Sequence, residues 1–203
     1  MVIAGESTMA LFKPEIYNKY LGDYTIINRA IGGETTALFL TSMDEDIIAL
    51  KPDVILISIG GNDLLGGRCI NTIISHMNLI FYNIRIKLPD TYIIFASIPP
   101  VLSWKVNSIS PYLNQKIQQI LSLYPKTIYF DLWEILAEEE KPVLQKEFYR
   151  KVIDFPLAKY DLLHFNTKGY EEIAQKLKPI LDKIYEEKYG NSTSNTEDNT
   201  NKK

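Results

Sequence analysis

The sequence predicts one α/β domain built around a parallel sheet of five strands. Five short runs rich in β-branched and aromatic residues alternate along the chain with longer segments of helical periodicity. The run at residues 53–59 (Asp-Val-Ile-Leu-Ile-Ser-Ile) is almost continuously apolar, which is typical of a strand buried on both faces. Strands that alternate with helices form parallel sheets with right-handed crossovers, and 203 residues favour a single domain.

Each predicted strand is bounded by glycine, proline or polar residues. The first begins at Met1 and ends at a turn of small residues that contains Ser7. The second ends shortly before Gly32 and Gly33, a pair that permits a turn with positive φ or a close backbone approach. The fourth ends before two prolines. The five predicted strands cover residues 1–4, 24–28, 53–59, 91–97 and 127–130.

The helices are predicted from capping residues, prolines and apolar periodicity. Thr35 or Thr36 caps the first long helix, and Pro52 follows its end. The last helix has its apolar residues three and four positions apart, which indicates one buried stripe. The predicted helices cover about residues 36–50, 70–88, 111–123, 132–140, 142–150 and 168–188.

The end of the chain differs in composition from the rest. From residue 190 onward it contains asparagine, serine, threonine and charged residues but no apolar side chain, so it cannot bury a core. We therefore expect a single domain at residues 1–189 and a disordered polar tail at residues 190–203.

Composition argues against several classes of partner and cofactor. A net charge of -3 with scattered lysines and arginines argues against nucleic acid, and no apolar run approaches the roughly 20 residues of an integral membrane segment. Cys69 is the only cysteine and there are two histidines, so neither an internal disulfide nor a zinc site of the usual kind is expected. We expect no metal and no cofactor.

Polar residues follow several of the predicted strands, and ligands of open parallel sheets bind at the carboxyl ends of strands. Ser7 follows the first strand, Gly33 the second and Asn62 the third. A fourth polar cluster, which contains Asp161 and His164, precedes the last helix. If these two lie in a turn or at a helix start, residues three apart share one side, so the carboxylate can orient the imidazole.

These groups supply what acyl transfer requires. Ser7 can attack a carbonyl carbon, and a histidine such as His164 can accept the proton and return it to the leaving group. Asp161 can hold the other ring nitrogen of the histidine. The Ser7 N–H, the Gly33 N–H and the Asn62 side-chain amide are candidate donors for an oxyanion hole. Read separately, the glycines could be simple turn residues and Asn62 a helix cap.

The same residues lie in four short motifs: Gly-Glu-Ser at residues 5–7, Asn-Arg-Ala-Ile-Gly-Gly-Glu-Thr at 28–35, Gly-Gly-Asn-Asp at 60–63, and Asp-Leu-Leu-His at 161–164. In this order they resemble the four sequence blocks of the SGNH hydrolases, also called the GDSL esterase/lipase family. The resemblance runs from the first residue to about the last helix.

This resemblance implies a flavodoxin-like three-layer sandwich and ester hydrolysis by a serine mechanism with an acyl-enzyme. Carried over residue by residue, it makes Ser7 the nucleophile, with Asp161 and His164 as orienter and base. The oxyanion donors are then Ser7, Gly33 and Asn62.

Two positions depart from the family pattern. Glu6 stands where the family usually has aspartate; we expect a slightly adjusted loop and retained activity. Gly32 stands where serine is common, which leaves the adjacent Gly33 unaffected.

The expected function is hydrolysis of short-chain acyl or O-acetyl esters, because no long apolar insertion could form a lid or a deep acyl tunnel. A lysophospholipase or thioesterase of the same family and a non-catalytic flavodoxin-like binding module are the alternatives. An α/β-hydrolase is disfavoured, because Met9 stands where its Gly-x-Ser-x-Gly motif needs glycine.

The expected partner is a small-molecule, glycan or lipid ester, and Trp104 is an open candidate for the pocket wall. A start at Met1 implies a cytoplasmic protein, whereas a removed signal implies a secreted or periplasmic one. The oligomeric state does not follow from the sequence.

Overall fold

Five parallel strands form the centre of the molecule. The computed structural model describes residues 1–139, 141–152 and 159–190. The order of the strands across the sheet is β2-β1-β3-β4-β5, and every neighbouring pair is parallel. This is the flavodoxin-like order, so the predicted fold class is confirmed. The strands are β1 (Val2–Gly5), β2 (Ile27–Asn28), β3 (Val54–Ser58), β4 (Tyr92–Ala96) and β5 (Thr127–Phe130).

Helices cover both faces of this sheet and complete a three-layer sandwich. The helices are α1 (Ser7–Ala10), α2 (Pro14–Leu21), α3 (Thr36–Asp46), α4 (Gly61–Leu65), α5 (Ile70–Lys87), α6 (Trp104–Asn107), α7 (Ser110–Leu121), α8 (Leu132–Leu136) and α9 (Thr167–Tyr189). One face of the sheet packs against α2, α8 and α9, and the other packs against α3, α5 and α7.

The central strand β3 explains the continuous apolar run in the sequence. Successive side chains of a strand point to opposite faces of the sheet. Leu56 therefore packs in the core beneath α9, whereas Ile55 and Ile57 pack in the core beneath α5. All three are completely buried. A polar residue at any of these positions would lie in an apolar core, which is why the strand shows no alternation.

Several element ends differ from the sequence prediction. The second strand, predicted over residues 24–28, is only two residues long and lies at the edge of the sheet. The helix predicted to reach residue 50 ends at Asp46, and a single 3₁₀ turn, Ile48–Leu50, follows. The expected polar tail lies outside the described residues except for Gly190.

The prediction of helices at residues 132–140 and 142–150 was largely wrong. Helix α8 already ends at Leu136, and a 3₁₀ turn, Lys146–Phe148, leads into a short strand, β6 (Tyr149–Lys151). This strand pairs antiparallel with β7 (Tyr160–Phe165) in a separate two-stranded sheet. The backbone N–H and C=O groups of β6 find their hydrogen-bond partners on a distant segment, β7. The periodicity of the sequence around β6 cannot indicate such a pairing.

No helix in the described part of the chain is long and apolar enough to cross a membrane. This agrees with the absence of a long apolar run in the sequence.

A glycine at the end of β1 sets the exit of the chain from the sheet. Gly5 has φ of +114°, and a Cβ built on it would lie 2.0 Å from the carbonyl oxygen of Ser58 on the neighbouring strand. The next residue, Glu6, donates its backbone N–H to that same oxygen at 3.0 Å. Only glycine fits here, both for its backbone conformation and for its lack of a side chain.

We predict that Gly5→Ala lowers the free energy of unfolding by at least about 3 kcal/mol, because the methyl group must displace the Ser58 backbone and occupy a strained φ. The matched control is Gly32→Ala, since a methyl group at Gly32 would have no heavy atom within 4 Å and the backbone there has an ordinary φ. The control should change stability by no more than about 1 kcal/mol. Urea unfolding of both variants measures the difference, and equal stability of the two would contradict this account.

Candidate active site

Ser7 lies at the carboxyl end of β1, where the chain turns out of the sheet. It is the first residue of the one-turn helix α1, and Glu6 before it has extended backbone. Thr8 and Met9 are buried, so the helix is held against the core while Ser7 remains partly exposed. Its hydroxyl is therefore fixed at the sheet edge and can be reached from outside.

Asp161 and His164 lie in strand β7, which corrects the expectation of a turn or helix start. The pairing of β7 with β6 is irregular, because the three residues of β6 face a longer stretch of β7. Within this irregular stretch Asp161 Oδ1 accepts hydrogen bonds from the backbone N–H groups of Leu163 at 2.9 Å and His164 at 3.0 Å. The side chain thus folds the backbone locally and brings residues three apart to the same side.

Ser7, His164 and Asp161 form one continuous chain of hydrogen bonds. Ser7 Oγ lies 2.8 Å from His164 Nε2, and His164 Nδ1 lies 3.0 Å from Asp161 Oδ2. Burial alone raises the pKa of Asp161, but hydrogen bonds from the Leu163 N–H and from His164 outweigh it, and the pKa falls below its ordinary value. Asp161 is therefore ionised at neutral pH and fixes which ring nitrogen of His164 carries the proton.

Asn62 and Gly33, the other two predicted site residues, occupy neighbouring turns. Asn62 lies in α4, and its side-chain Nδ2 donates to the carbonyl of Glu34 at 2.9 Å, which leaves its second hydrogen for another acceptor. Gly33 has φ of +81°, and its N–H forms no hydrogen bond with the described residues. Asn62 lines the same cleft as Ser7 and His164, whereas Gly33 lies outside the lining of that cleft.

Glu6 joins the turn of Ser7 to the loop of Asn62. Its buried carboxylate accepts the backbone N–H groups of Gly61 at 3.0 Å and Asn62 at 2.8 Å. A Cβ at Gly61 would lie 2.6 Å from Glu6 Oε1, so any larger residue there would displace the Glu6 carboxylate. Burial raises the pKa of Glu6 to about 7, although the two N–H donors favour the ionised form.

Asp63 joins the Asn62 loop to the turn after β2. It is buried, and it accepts hydrogen bonds from the backbone N–H and from the hydroxyl of Thr36, both at 2.8 Å. Arg68 Nε lies 3.0 Å from the same carboxylate. His76 Nδ1 lies 2.8 Å from the Thr36 hydroxyl, which gives this histidine a structural partner.

Thr36, Arg68 and Glu34 take parts in this arrangement that were not predicted from the sequence. Burial raises the pKa of Glu34 to about 7, although the hydrogen bond from the Ser42 hydroxyl lowers it. The sequence shows only that these charged and hydroxyl residues lie close to strand-end turns. Their pairing depends on contacts between turns that lie far apart in sequence.

The cleft beside Ser7 is small and has mostly apolar walls. It measures about 30 Å³, whereas a cavity needs roughly 10–15 Å³ on such a measure to hold one water molecule. Trp104, the open candidate for the wall, is 79% exposed and is not part of the lining. The apolar walls come from Leu65, Ile98, Pro99, Val101, Val106 and Leu163.

In the described part of the chain, no group of three or more histidine, cysteine, aspartate or glutamate side chains is arranged to hold a metal ion.

Solved structures with the same fold are similar to this chain over most of its length. A protein from Streptococcus pneumonia, provisionally named a platelet activating factor, is 25% identical with a TM-score of 0.75, and the match covers 89% of this chain and 82% of that one. A GDSL-like lipase from Bacteroides thetaiotaomicron is 17% identical with a TM-score of 0.71, covering 90% and 87%. An acetyl xylan esterase is 17% identical with a TM-score of 0.65, covering 89% and 98%.

At 17% identity, the last two similarities establish the fold alone. The comparison with curated proteins gave no significant match. The model of the GDSL-like Lipase/Acylhydrolase family matches residues 7–172, which is most of the chain. The protein therefore belongs to the GDSL-like lipase/acylhydrolase family and is a hydrolase that acts on ester bonds.

Proposed function

We propose that this protein is a serine esterase that hydrolyses short-chain acyl or O-acetyl esters through an acyl-enzyme. The observation that carries the proposal is the unbroken hydrogen-bonded chain from Ser7 through His164 to Asp161, which opens onto the apolar cleft. A hydroxyl, an imidazole and a carboxylate in this order are what a serine nucleophile needs for its activation.

The first half of the reaction forms the acyl-enzyme. Ser7 Oγ attacks the ester carbonyl carbon while its proton moves to His164 Nε2, and the carbonyl oxygen becomes an oxyanion. The tetrahedral intermediate then collapses. The bond to the alcohol oxygen breaks, the alcohol leaves with the proton from His164, and the acyl group remains on Ser7. Asp161 stabilises the imidazolium that exists between these two proton transfers.

The second half releases the acid. His164 removes a proton from a water molecule, whose oxygen attacks the acyl carbon on Ser7. The new tetrahedral intermediate collapses as the proton returns to Ser7 Oγ, and the carboxylic acid leaves. Each proton that His164 accepts is given back, so no external acid, base, oxidant or reductant is required.

Three donors serve the oxyanion in this proposal. The second N–H of the Asn62 amide is available beside the cleft, and the first N–H of α1, that of Ser7, has no partner within its helix. Gly33 supplies the third N–H, and its turn is tied to the end of β1 by the bond from the Ile31 N–H to the Gly5 carbonyl at 2.8 Å. Donors fixed in advance stabilise charge without reorganising during the reaction.

The size of the cleft favours short acyl chains. A volume of about 30 Å³ holds a group of a few atoms, and its apolar walls suit a methyl or short alkyl group. Leu65 and Val106 come from two short helices, α4 and α6, that contact each other across it. A longer chain would have to leave the cleft into solvent and would gain little further burial.

The proposal predicts the activity of the purified protein on p-nitrophenyl esters graded from acetate to palmitate. The wild type should prefer acetate or butyrate, and Ser7→Ala should lower kcat at least about 1,000-fold, because the nucleophile is lost. The matched control is Ser122→Ala, whose hydroxyl donates to the Gln119 carbonyl at the far end of α7. Steady-state kinetics of the three proteins measures the effect.

Each other outcome has a definite meaning. An optimum at long acyl chains would replace the short-chain proposal with the lysophospholipase or thioesterase alternative. Undiminished activity in Ser7→Ala would exclude Ser7 as the nucleophile. A folded wild type that turns over no ester would favour the non-catalytic binding module.

A second prediction concerns the oxyanion donor on α4. Asn62→Ala should lower kcat about 100-fold to 1,000-fold with a smaller change in KM, because the lost N–H acts mainly on the developing oxyanion. The matched control is Asn18→Ala, on the exposed side of α2. Since Asn62 also bonds to the Glu34 carbonyl, urea unfolding must show that the variant is folded under assay conditions. A loss of less than about fivefold in kcat would contradict this role.

A further inference from the structure

A second cavity adjoins the catalytic cleft. It measures about 410 Å³ and lies between the turn after β2 and the loop that follows α4. Asn62 lines both this cavity and the cleft beside Ser7, so the two spaces share one lining residue. The larger cavity is lined by Thr35, Asn62, Asp63, Gly66, Arg68, Cys69 and Thr72. We call it the Arg68 cavity.

The two spaces differ in size and in chemistry. The cleft measures about 30 Å³ and its walls are mostly apolar, whereas the Arg68 cavity is far larger and most of the residues that line it have polar side chains. An ester has an acyl side and an alcohol side, and the proposed function places the acyl side in the cleft. The alcohol side then extends out of the cleft, and the Arg68 cavity is a neighbouring space that shares Asn62 with it.

Asp63 contacts both the guanidinium and the backbone of Arg68. Its Nε lies 3.0 Å from Asp63 Oδ1, and its backbone N–H donates to the Asp63 carbonyl at 2.9 Å. Asp63 is itself fixed by both hydrogen bonds from Thr36. The buried carboxylate thus anchors the guanidinium from one side.

The other side of the guanidinium is open. Nη1 and Nη2 form no hydrogen bond or ion pair with the described residues, and the side chain is 40% exposed. A guanidinium anchored through Nε presents its two terminal nitrogens as a fork, which matches the two oxygens of a carboxylate or phosphate. Among the described residues that line the cavity, Arg68 is the one cation, and the carboxylate of Asp63 is already occupied by its own donors.

We propose that the Arg68 cavity is the leaving-group subsite, and that it takes an alcohol bearing an anionic oxygen group, a carboxylate or a phosphate, on the terminal nitrogens of Arg68. This inference rests on the proposed function, because it assigns the alcohol side of the same ester. The hydroxyls of Thr35 and Thr72 line the cavity and offer further hydrogen bonds to such a group.

The experiment compares two esters that differ in charge on the alcohol side: 4-acetoxybenzoate and its neutral methyl ester. For each enzyme we take the ratio of kcat/KM on the anionic ester to kcat/KM on the neutral one, so that intrinsic reactivity cancels between enzymes. Arg68→Gln should lower this ratio at least about tenfold, because a charge-assisted pair is lost. Arg68→Lys, which keeps the charge without the fork, should give an intermediate ratio.

The matched control is Lys176→Gln, which removes one positive charge from an exposed site on α9, on the other face of the sheet. It should leave the ratio unchanged. An equal loss of both activities in Arg68→Gln would show that Arg68 only supports Asp63, and it would overturn the proposal. A wild type that hydrolyses neither ester while folded would instead overturn the proposed esterase function.

Competitive inhibition by benzoate and by phenyl phosphate distinguishes the two anionic groups. The stronger inhibitor of wild-type turnover identifies the preferred group, and its inhibition constant should rise at least about tenfold in Arg68→Gln. Inhibition by neither compound, or inhibition that is the same in wild type and Arg68→Gln, would contradict an anion subsite on Arg68.

Discussion

The site depends on a buried carboxylate that joins two strand-end turns. Glu6 accepts the N–H groups of Gly61 and Asn62, and through them it fixes the position of α4 relative to Ser7. Asp63 makes the next connection, to Thr36 after β2, and the Ile31 N–H returns to the Gly5 carbonyl. Hydrogen bonds thereby join three turns from distant parts of the sequence at one edge of the sheet. Ser7, Gly33 and Asn62 belong to these turns, and His164 contacts Ser7 from β7.

Burying such carboxylates is unfavourable, and the fold compensates with hydrogen bonds to nearly every oxygen. Burial disfavours the ionised form and raises the pKa of Glu6 to about 7, whereas its two N–H donors favour the ionised form. Glutamate here instead of the usual aspartate adds one methylene, and its carboxylate still reaches both N–H groups. The adjustment expected from the sequence is therefore accommodated by the side chain itself.

The sheet could be predicted from the sequence because a buried strand is recognised from a short run of neighbouring apolar residues. The apolar run around Leu56 and the glycines at strand ends predict both the parallel sheet and the edge at which ligands bind. Strand β6 was missed because its residues gain their structure only from pairing with β7, a separate segment of the chain. The same pairing places Asp161 and His164 in an irregular strand, although their three-residue spacing already suggested that the two side chains interact.

Side-chain partners within the site could be predicted only in part. Asp161 and His164 are close in sequence, so their spacing indicates that they interact. Asp63 contacts Arg68 and Thr36, and its contact with Thr36 depends on the three-dimensional arrangement of two separate turns. The size of the cleft could not be predicted for a similar reason, because its walls come in part from α4 and α6, which pack against each other.

The most direct test of the central claim is covalent labelling with an alkyl fluorophosphonate, which phosphonylates activated serines. Intact-mass measurement and peptide mapping should find a single adduct, on Ser7, and His164→Ala should abolish it because the hydroxyl loses its base. Labelling of another serine, or of Ser7 at the same rate without His164, would contradict the account.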